Sequence, residues 1–377
     1  MQFYQFTSIL NGMAENNDFL TTQIITYIGN KRILIGHIQK EIELIKEKLN
    51  KKKLVCADLF SGSGVVARML KQHSSLVIAN DLENYSRILN SCYLFNRREF
   101  DSDRYFDIRN TIEKEFFERK TPGIICENYA PKDTNDIKAG ERAFYTRENA
   151  ERIDTYRKLI EKVDEEYRNF FLAPLLTEAS IHVNTSGVFK GFYKDKKTGI
   201  GCFGGTGKNA LTRIMGQVEL PVPVFSNYSS KMQLFQRDTV ELSAELKKID
   251  IAYLDPPYNQ HPYGSNYFML NLIADNAIPD VKLSKVSGIP CNWNRSKFNK
   301  KAYALDCMDK IISSLDAKYT IVSYNSEGFI EFDEMKNMLK KYGKVKTVEI
   351  QYNTFRGSRN LKNRDIHVNE FLFVLEK

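Results

Sequence analysis

Cysteine and histidine are sparse and scattered along this chain of 377 residues. The six cysteines (Cys56, Cys92, Cys126, Cys202, Cys291 and Cys307) contain no Cys-x-x-Cys pair, and the five histidines are equally dispersed. Neither a zinc site nor a disulfide framework is indicated, and reduced thiols in a cytoplasmic protein are expected. Nowhere do about 18 apolar residues stand together, so no membrane span is expected. At the N-terminus Met1 to Leu10 is followed by Asn11, Glu15 and Asp18, with no basic segment leading into an apolar run, so export is not expected either. Acidic residues are in slight deficit: 47 Asp plus Glu against 55 Lys plus Arg give a formal charge of +8. That excess fits a polyanionic partner without requiring one. With 42% hydrophobic residues the chain can bury a sizeable core, and its length leaves open one large domain with an insert or two intimate domains.

What is present is an alternation of strand and helix signals. Ile33, Leu34, Ile35, Ile38, Ile42, Leu44, Ile45 and Leu49 stand among Glu and Lys at the spacing of an amphipathic helix within residues 31–53. The apolar run Leu54 to Phe60 predicts a strand, Ser61-Gly62-Ser63-Gly64 a turn, and Val65 to Leu70 a helix. Leu76 to Asp81 reads as a second buried strand and Tyr85 to Phe95 as the next helix. The rhythm lapses between residues 121 and 230, where a charged helical stretch (Glu141 to Phe171) precedes a glycine-dense segment that favours irregular loops or hairpins. It returns with a strand at Ile249 to Leu254, a helix at Lys300 to Leu315, a strand at Tyr319 to Ser323, a helix at Phe332 to Tyr342, and strands at Lys344 to Tyr352 and Glu370 to Leu375. The expected fold is a doubly wound, mostly parallel α/β sheet from residues 1–120 and 231–377, interrupted by an insert at 121–230.

Glycines at a strand-to-helix turn let the backbone approach a ligand closely. Asp81, 17 positions after Gly64, is placed to accept hydrogen bonds from ribose hydroxyls. Gly62-x-Gly64-x-x-Ala67 also satisfies the dinucleotide fingerprint of NAD enzymes, so this segment alone leaves both readings open. Gly205-Thr206-Gly207-Lys208-Asn209 is only a near miss to a phosphate-binding loop, because Cys202 stands where its first glycine belongs and Asn209 replaces the magnesium-binding Ser or Thr.

The second signal is Asp255-Pro256-Pro257-Tyr258 at the end of an apolar strand, where ligands bind in parallel α/β sheets. The prolines remove amide donors and fix φ, leaving carbonyl oxygens and the Asp255 carboxylate as acceptors beside the Tyr258 ring. That set suits an amino group on an aromatic base: its N–H donors meet the carboxylate and the Pro256 carbonyl while the ring stacks on Tyr258. Adenine and cytosine both qualify. A base could reach such a pocket only by leaving the duplex, at a cost of about a few kcal/mol that stacking partly recovers.

Together these motifs resemble the Dam-like group of DNA adenine-N6 methyltransferases, including modification enzymes of type II restriction systems. Tyr27-Ile28-Gly29-Asn30-Lys31-x-x-Leu34 is similar to that group's N-terminal motif, Asp58-Leu59-Phe60-Ser61-Gly62-Ser63-Gly64 to its glycine motif, Asn80-Asp81 to its ribose-binding strand end, and Asp238 to its acidic position near the cofactor adenine. The resemblance implies a Rossmann-like catalytic domain that binds S-adenosyl-L-methionine through Tyr27, Lys31, Asp58, Phe60, Gly62, Gly64, Asp81, Asp238 and Asp255. It implies catalysis by Asp255, Pro256, Pro257 and Tyr258, double-stranded DNA as partner, and a cognate restriction endonuclease acting in the same system without a stable complex. Relatives that methylate cytosine N4 more often carry Ser at the Asp255 position, and ribosomal RNA adenine methyltransferases carry Asn, so Asp255 favours adenine in DNA by analogy.

The insert occupies the place of that group's target recognition region. Within it Lys190, Lys194 and Lys197 stand among Phe189, Phe192 and Tyr193, a mixture suited to phosphate contact and base stacking. A second DNA-binding candidate is Trp293, Asn294, Arg295 and Lys297, and Arg356 and Arg359 are expected to grip phosphates. Two other classes stay open on the residues alone: an NAD-linked oxidoreductase and a non-catalytic DNA-binding module.

Overall fold

The computed structural model describes residues 15–27, 31, 34–353 and 367–377. Among these residues seven strands build one sheet: β1 (Leu54–Asp58), β2 (Ser74–Asp81), β3 (Lys231–Gln236), β4 (Ile249–Leu254), β5 (Ala317–Asn325), β6 (Lys344–Asn353) and β7 (His367–Glu376). Their order is β3-β2-β1-β4-β5-β7-β6. The first five are parallel, whereas β7 runs antiparallel to both β5 and β6. The expected doubly wound sheet is therefore present.

Central strands are mostly apolar because both of their faces are covered, and the buried Asp250 in β4 is paired with Lys51 at 2.7 Å. All six residues of β4 are buried. One face is packed by helices α1 (Ile35–Lys48) and α2 (Val65–Lys71), where Ile38, Ile42, Val66, Met69 and Leu70 meet Tyr253 and Ile321. The chain continues through α3 (Asn84–Tyr93), then α4 (Ser102–Glu118), α5 (Ile124–Tyr129), α6 (Arg147–Glu161), α7 (Glu165–Ile181), α8 (Phe268–Asp275), α9 (Lys301–Ser314) and α10 (Phe332–Lys340). The opposite face is packed by α9 and α10 through Met308, Ile311, Ile312, Met335 and Leu339.

The single charged stretch expected at Glu141 to Phe171 is two helices, α6 and α7, because Asp164 stands between them as a break. Asp101 caps α4 by accepting from the Arg104 amide at 3.0 Å, and Thr146 caps α6 by accepting from Asn149 at 3.1 Å. Helices α4 to α7 share a core with α3 and α8, dense in rings: Phe116 stacks on Tyr156 at 4.1 Å and Tyr105 on Phe171 at 4.6 Å. Each such buried ring contributes about 1.5–3 kcal/mol of transfer free energy. After α7 the glycine-dense segment is irregular apart from one bridge, Lys194 to Gly201, and a short helix, Leu211–Met215. Among the described residues no helix is long and apolar enough to cross a membrane.

Strand order reverses between β1 and β4, and ligands in such sheets bind beyond the strand carboxyl ends at that reversal. Asp58 pairs in register with Tyr253, which brings the glycine turn after β1 beside the Asp255 to Tyr258 segment after β4. Antiparallel β7 adds Glu370 to the same edge, because Glu370 is in register with Asn325 at the end of β5.

Candidate active site

The turn after β1 is held by the end of β2. Gly62, at φ +51°, donates its amide to Asp81 Oδ2 at 2.8 Å, and Glu83 donates its own to Asp81 Oδ1 at 2.9 Å. Asn80 staples three strand ends: its side-chain amide donates to the carbonyls of Leu59 and Arg237 and to Thr239 Oγ1, and its Oδ1 accepts from the Arg237 amide. Asp238 caps the following helical turn by accepting from Val240 at 2.8 Å.

These elements wall a groove lined by Tyr27, Phe60, Asp81, Glu83, Asp238, Asp255, Pro257, Tyr263, Asn294 and Phe298, among others. Its rings are fixed. Phe60 meets Phe298 edge-on at 5.5 Å, while Tyr27 stacks on Tyr267 at 4.6 Å and on Tyr263 at 5.1 Å, with its hydroxyl 3.0 Å from that of Tyr85. A second cavity of about 240 Å³ adjoins it, lined by Val188, Lys190, Pro257, Tyr258, Asn259, His261, Tyr263 and Asn266. Pro257 and Tyr263 belong to both walls. The Tyr258 ring stands edge-on to Tyr324 at 6.5 Å, and its carbonyl accepts from the Phe329 amide at 2.9 Å, so the ring is braced from β5.

Asp255 lines the groove two residues before Pro257, which belongs to both walls. Its Oδ1 pairs with Lys31 Nζ at 2.8 Å, and 23% of its side chain remains open to solvent. Burial pushes its pKa up to about 6; Lys31 pulls it down and Glu370 raises it. At neutral pH it is therefore mostly a carboxylate, an acceptor for N–H donors. Lys31 is 5% exposed and spends its ammonium on the protein: besides Asp255 it donates to Glu370 Oε1 at 2.9 Å and Ser323 Oγ at 3.2 Å. Burial opposes its charge, but the two carboxylates outweigh burial and hold it well above the usual lysine range.

The Tyr27, Phe60, Gly62, Gly64, Asp81, Asp238 and Asp255 positions singled out as cofactor-binding all converge on the groove or on the turn that walls it. Lys31 instead lies behind Asp255. Asp58 is 1% exposed, and neither of its oxygens makes a hydrogen bond of full geometry. Burial, then Asp255 and Asp81, push its carboxyl well above the usual range, against the nearby amides of Phe60 and Ala67. Pro256 is buried at the strand end.

Of the DNA-binding candidates, Lys190 lines the Tyr258 cavity, its Nζ 3.4 Å from His261 Nδ1. Lys194 and Lys197 sit on an exposed loop turned by Asp195, with Lys194 5.2 Å above the Phe192 ring. Arg295 lies over Trp293 at 3.8 Å and Lys297 is exposed. Asn294 turns into the groove, donating to the Leu82 carbonyl and Glu83 Oε2. Arg356 and Arg359 lie outside the described residues. The Gly205 to Asn209 near miss closes on itself, Lys208 and Asn209 donating to the carbonyls of Gly205 and Gly204. Sequence reasoning missed Glu83, Tyr263, Phe298 and Glu370. For Tyr263 and Tyr267 the aromatic density after Tyr258 was an available signal.

Residues 27–338 match the D12 class N6 adenine-specific DNA methyltransferase family. This chain belongs to that family. It is 31% identical over 366 residues to the type II methyltransferase M.NlaIII of Neisseria lactamica, covering 94% of this chain and 99% of that protein. It is 32% identical to M.CviAII of Paramecium bursaria Chlorella virus 1, covering 93% and 98% of the two chains. Type II methyltransferase M.FokI of Planomicrobium okeanokoites shares 27% identity, with 93% of this chain aligned to 52% of the relative. The protein is an adenine-specific DNA methyltransferase, and its methyl donor is of the S-adenosylmethionine type. The groove suits such a donor: the Asp81, Asp238 and Asp255 carboxyls on its wall can accept from hydroxyl and amino groups, and the Phe60, Phe298 and Tyr27 rings suit an apolar, aromatic ligand.

Proposed function

We propose that this methyltransferase is the modification enzyme of a type II restriction system, methylating N6 of one adenine flipped out of duplex DNA with S-adenosyl-L-methionine as donor. The observation that supports the reading best is the shared wall of Pro257 and Tyr263 between the groove, which Asp255 lines, and the Tyr258 cavity. The donor supplies an electrophilic methyl on a sulfonium. Tyr258 stacks against the adenine ring, while Asp255 Oδ2 and the Pro256 carbonyl accept from its amino group and aim the nitrogen pair at the groove. The donor, held in the groove, would supply the methyl group and keep the S–C electron pair, and Asp255 would receive the proton shed by N6.

We assign target recognition to residues 121–230 together with Trp293, Arg295 and Lys297, supported by Lys190 on the cavity rim and the exposed Lys194 and Lys197. Arg356 and Arg359 remain candidates for phosphate contact. Cellular DNA as substrate implies a cytoplasmic location, and the cognate endonuclease would act on the same sites without a stable complex. Incubation with labelled S-adenosylmethionine and mixed-sequence duplex should label the DNA, with N6-methyladenine released on digestion. Asp255→Ala should abolish transfer while leaving donor binding measurable. N4-methylcytosine in the digest, or undiminished transfer by the variant, would overturn the reading.

A further inference from the structure

Behind Asp255 lies a buried polar network that substrate contact does not account for. Glu370, on β7, is 2% exposed. Its Oε1 accepts from Lys31 Nζ at 2.9 Å and Ser323 Oγ at 2.7 Å, and its Oε2 accepts from Asn325 Nδ2 at 3.1 Å. The Asn325 amide is itself oriented, because its Oδ1 accepts from the Glu327 amide at 2.8 Å. Lys31 is therefore an ammonium shared by two carboxylates, its three donors directed to Asp255, Glu370 and Ser323.

A buried carboxylate is expensive unless paired and hydrogen-bonded, and this one is fully engaged: burial opposes its charge, but Lys31, Ser323 and Asn325 hold it below the usual carboxylate range. Were Lys31 paired with Asp255 alone, the ammonium would damp the acceptor strength of that carboxylate. Sharing Lys31 leaves a net negative charge on the pair of acids, and the Ser323 and Asn325 contacts fix where the ammonium stands. Lys31 then occupies Oδ1 of Asp255, which lines the groove, and leaves Oδ2 to other donors.

We propose that Glu370 is a positioning residue for methyl transfer: by sharing Lys31 it fixes the Asp255 carboxylate and keeps it a strong acceptor for the attacking amino group. The inference rests on the role given to Asp255 above. Asp255 in turn acts on Asp58 from β1, Tyr253 from β4, and Tyr263 beyond the Asp255 to Tyr258 segment.

The test is Glu370→Gln, which keeps the shape and one acceptor, assayed with labelled S-adenosylmethionine and cognate duplex across pH. We expect kcat to fall about 10- to 100-fold while KM for DNA and donor affinity change less than about threefold, the signature of an interaction that acts in the transition state. Glu370 raises Asp255, so removing its charge should move the acidic limb of kcat to lower pH. Lys31→Met should move that limb upward, and Ser323→Ala should lower kcat slightly with the limb in place. A merely structural role would lower the melting temperature without moving the limb. Wild-type kcat with an unmoved limb, or donor affinity falling in step with kcat, would overturn the proposal. Asp255→Ala with full activity would instead overturn the underlying role of Asp255, whatever Glu370→Gln does.

Discussion

Gly62 and Asp81 form one unit: the glycine amide donates to the carboxylate across 2.8 Å, so the loop after β1 cannot change shape without releasing the end of β2. Tyr27 closes the unit from above. A Cβ on Gly62 would stand 2.8 Å from Tyr27 Cε1, and one on Gly64 2.5 Å from Asn90 Oδ1. The glycines are thus demanded by the protein's own packing as well as by any ligand, which is why the glycine turn by itself could not separate a methyl donor from a dinucleotide.

Gly62→Ala should therefore damage donor binding in particular. At φ +51° a side chain costs about 1 kcal/mol or more of backbone strain, and the new methyl must also displace Tyr27 from its stack on Tyr263 and Tyr267. Calorimetric titration with S-adenosylmethionine should show affinity reduced about tenfold or more, since each 1.4 kcal/mol is a factor of about ten. Duplex binding, measured alone by fluorescence anisotropy, should change far less. Unaltered donor affinity would show that the turn and Tyr27 are not part of the donor site.

What could be read from the sequence follows from how each element is buried. β4 was legible to the residue, Ile249 to Leu254, because a strand covered on both faces is almost wholly apolar, the exception Asp250 being paired with Lys51. β3 was not: Lys231–Gln236 is an edge strand of exposed and half-buried positions, with Met232 and Leu234 toward one core and Phe235 toward the other. The motif residues were legible because chemistry restricts them to few side-chain types. The Lys31–Glu370 pair spans 339 positions and exists only because β7 runs antiparallel, an orientation that strand signals do not carry. Asn294 has the composition of a base reader, yet its backbone crosses Gly264 so closely that a Cβ there would lie 2.6 Å from the Asn294 carbonyl oxygen. That approach turns its side chain toward Glu83.

Glu83 makes a second prediction, for stability. It is 2% exposed, and burial, then Asp81, push it up to about 7, against the amides of Asn271 and Asn294. A carboxyl whose folded pKa lies above its unfolded value favours folding below the unfolded value, and that contribution is lost as pH rises through about 7. Glu83→Gln keeps the acceptor for Asn271 and removes the charge. It should raise stability at pH 8 by on the order of 2 kcal/mol, with little effect near pH 5, as read from denaturant midpoints at the two values. A gain of the same size at both pH values would show that packing rather than ionisation is responsible.

Lys190 connects the inserted segment to the base cavity, and its role should be visible in salt. Phe189, 2% exposed, donates its amide to the Asn266 carbonyl at 2.8 Å, which tethers this loop to the segment after Tyr258 and brings Lys190 Nζ to 3.4 Å from His261 Nδ1. Burial, then Lys190, lower the histidine pKa, so at neutral pH His261 is an uncharged acceptor beside a single cation. Among the described residues no carboxylate pairs with Lys190, and in the proposed DNA complex its charge would be available to a phosphate next to the flipped adenine. Each phosphate neutralised contributes about 0.9 to the slope of log affinity against log salt. Lys190→Gln should therefore flatten that slope by about this amount and weaken duplex binding by roughly tenfold at low salt, while donor titration stays at the wild-type value. A slope equal to that of the parent enzyme would place Lys190 away from the DNA backbone.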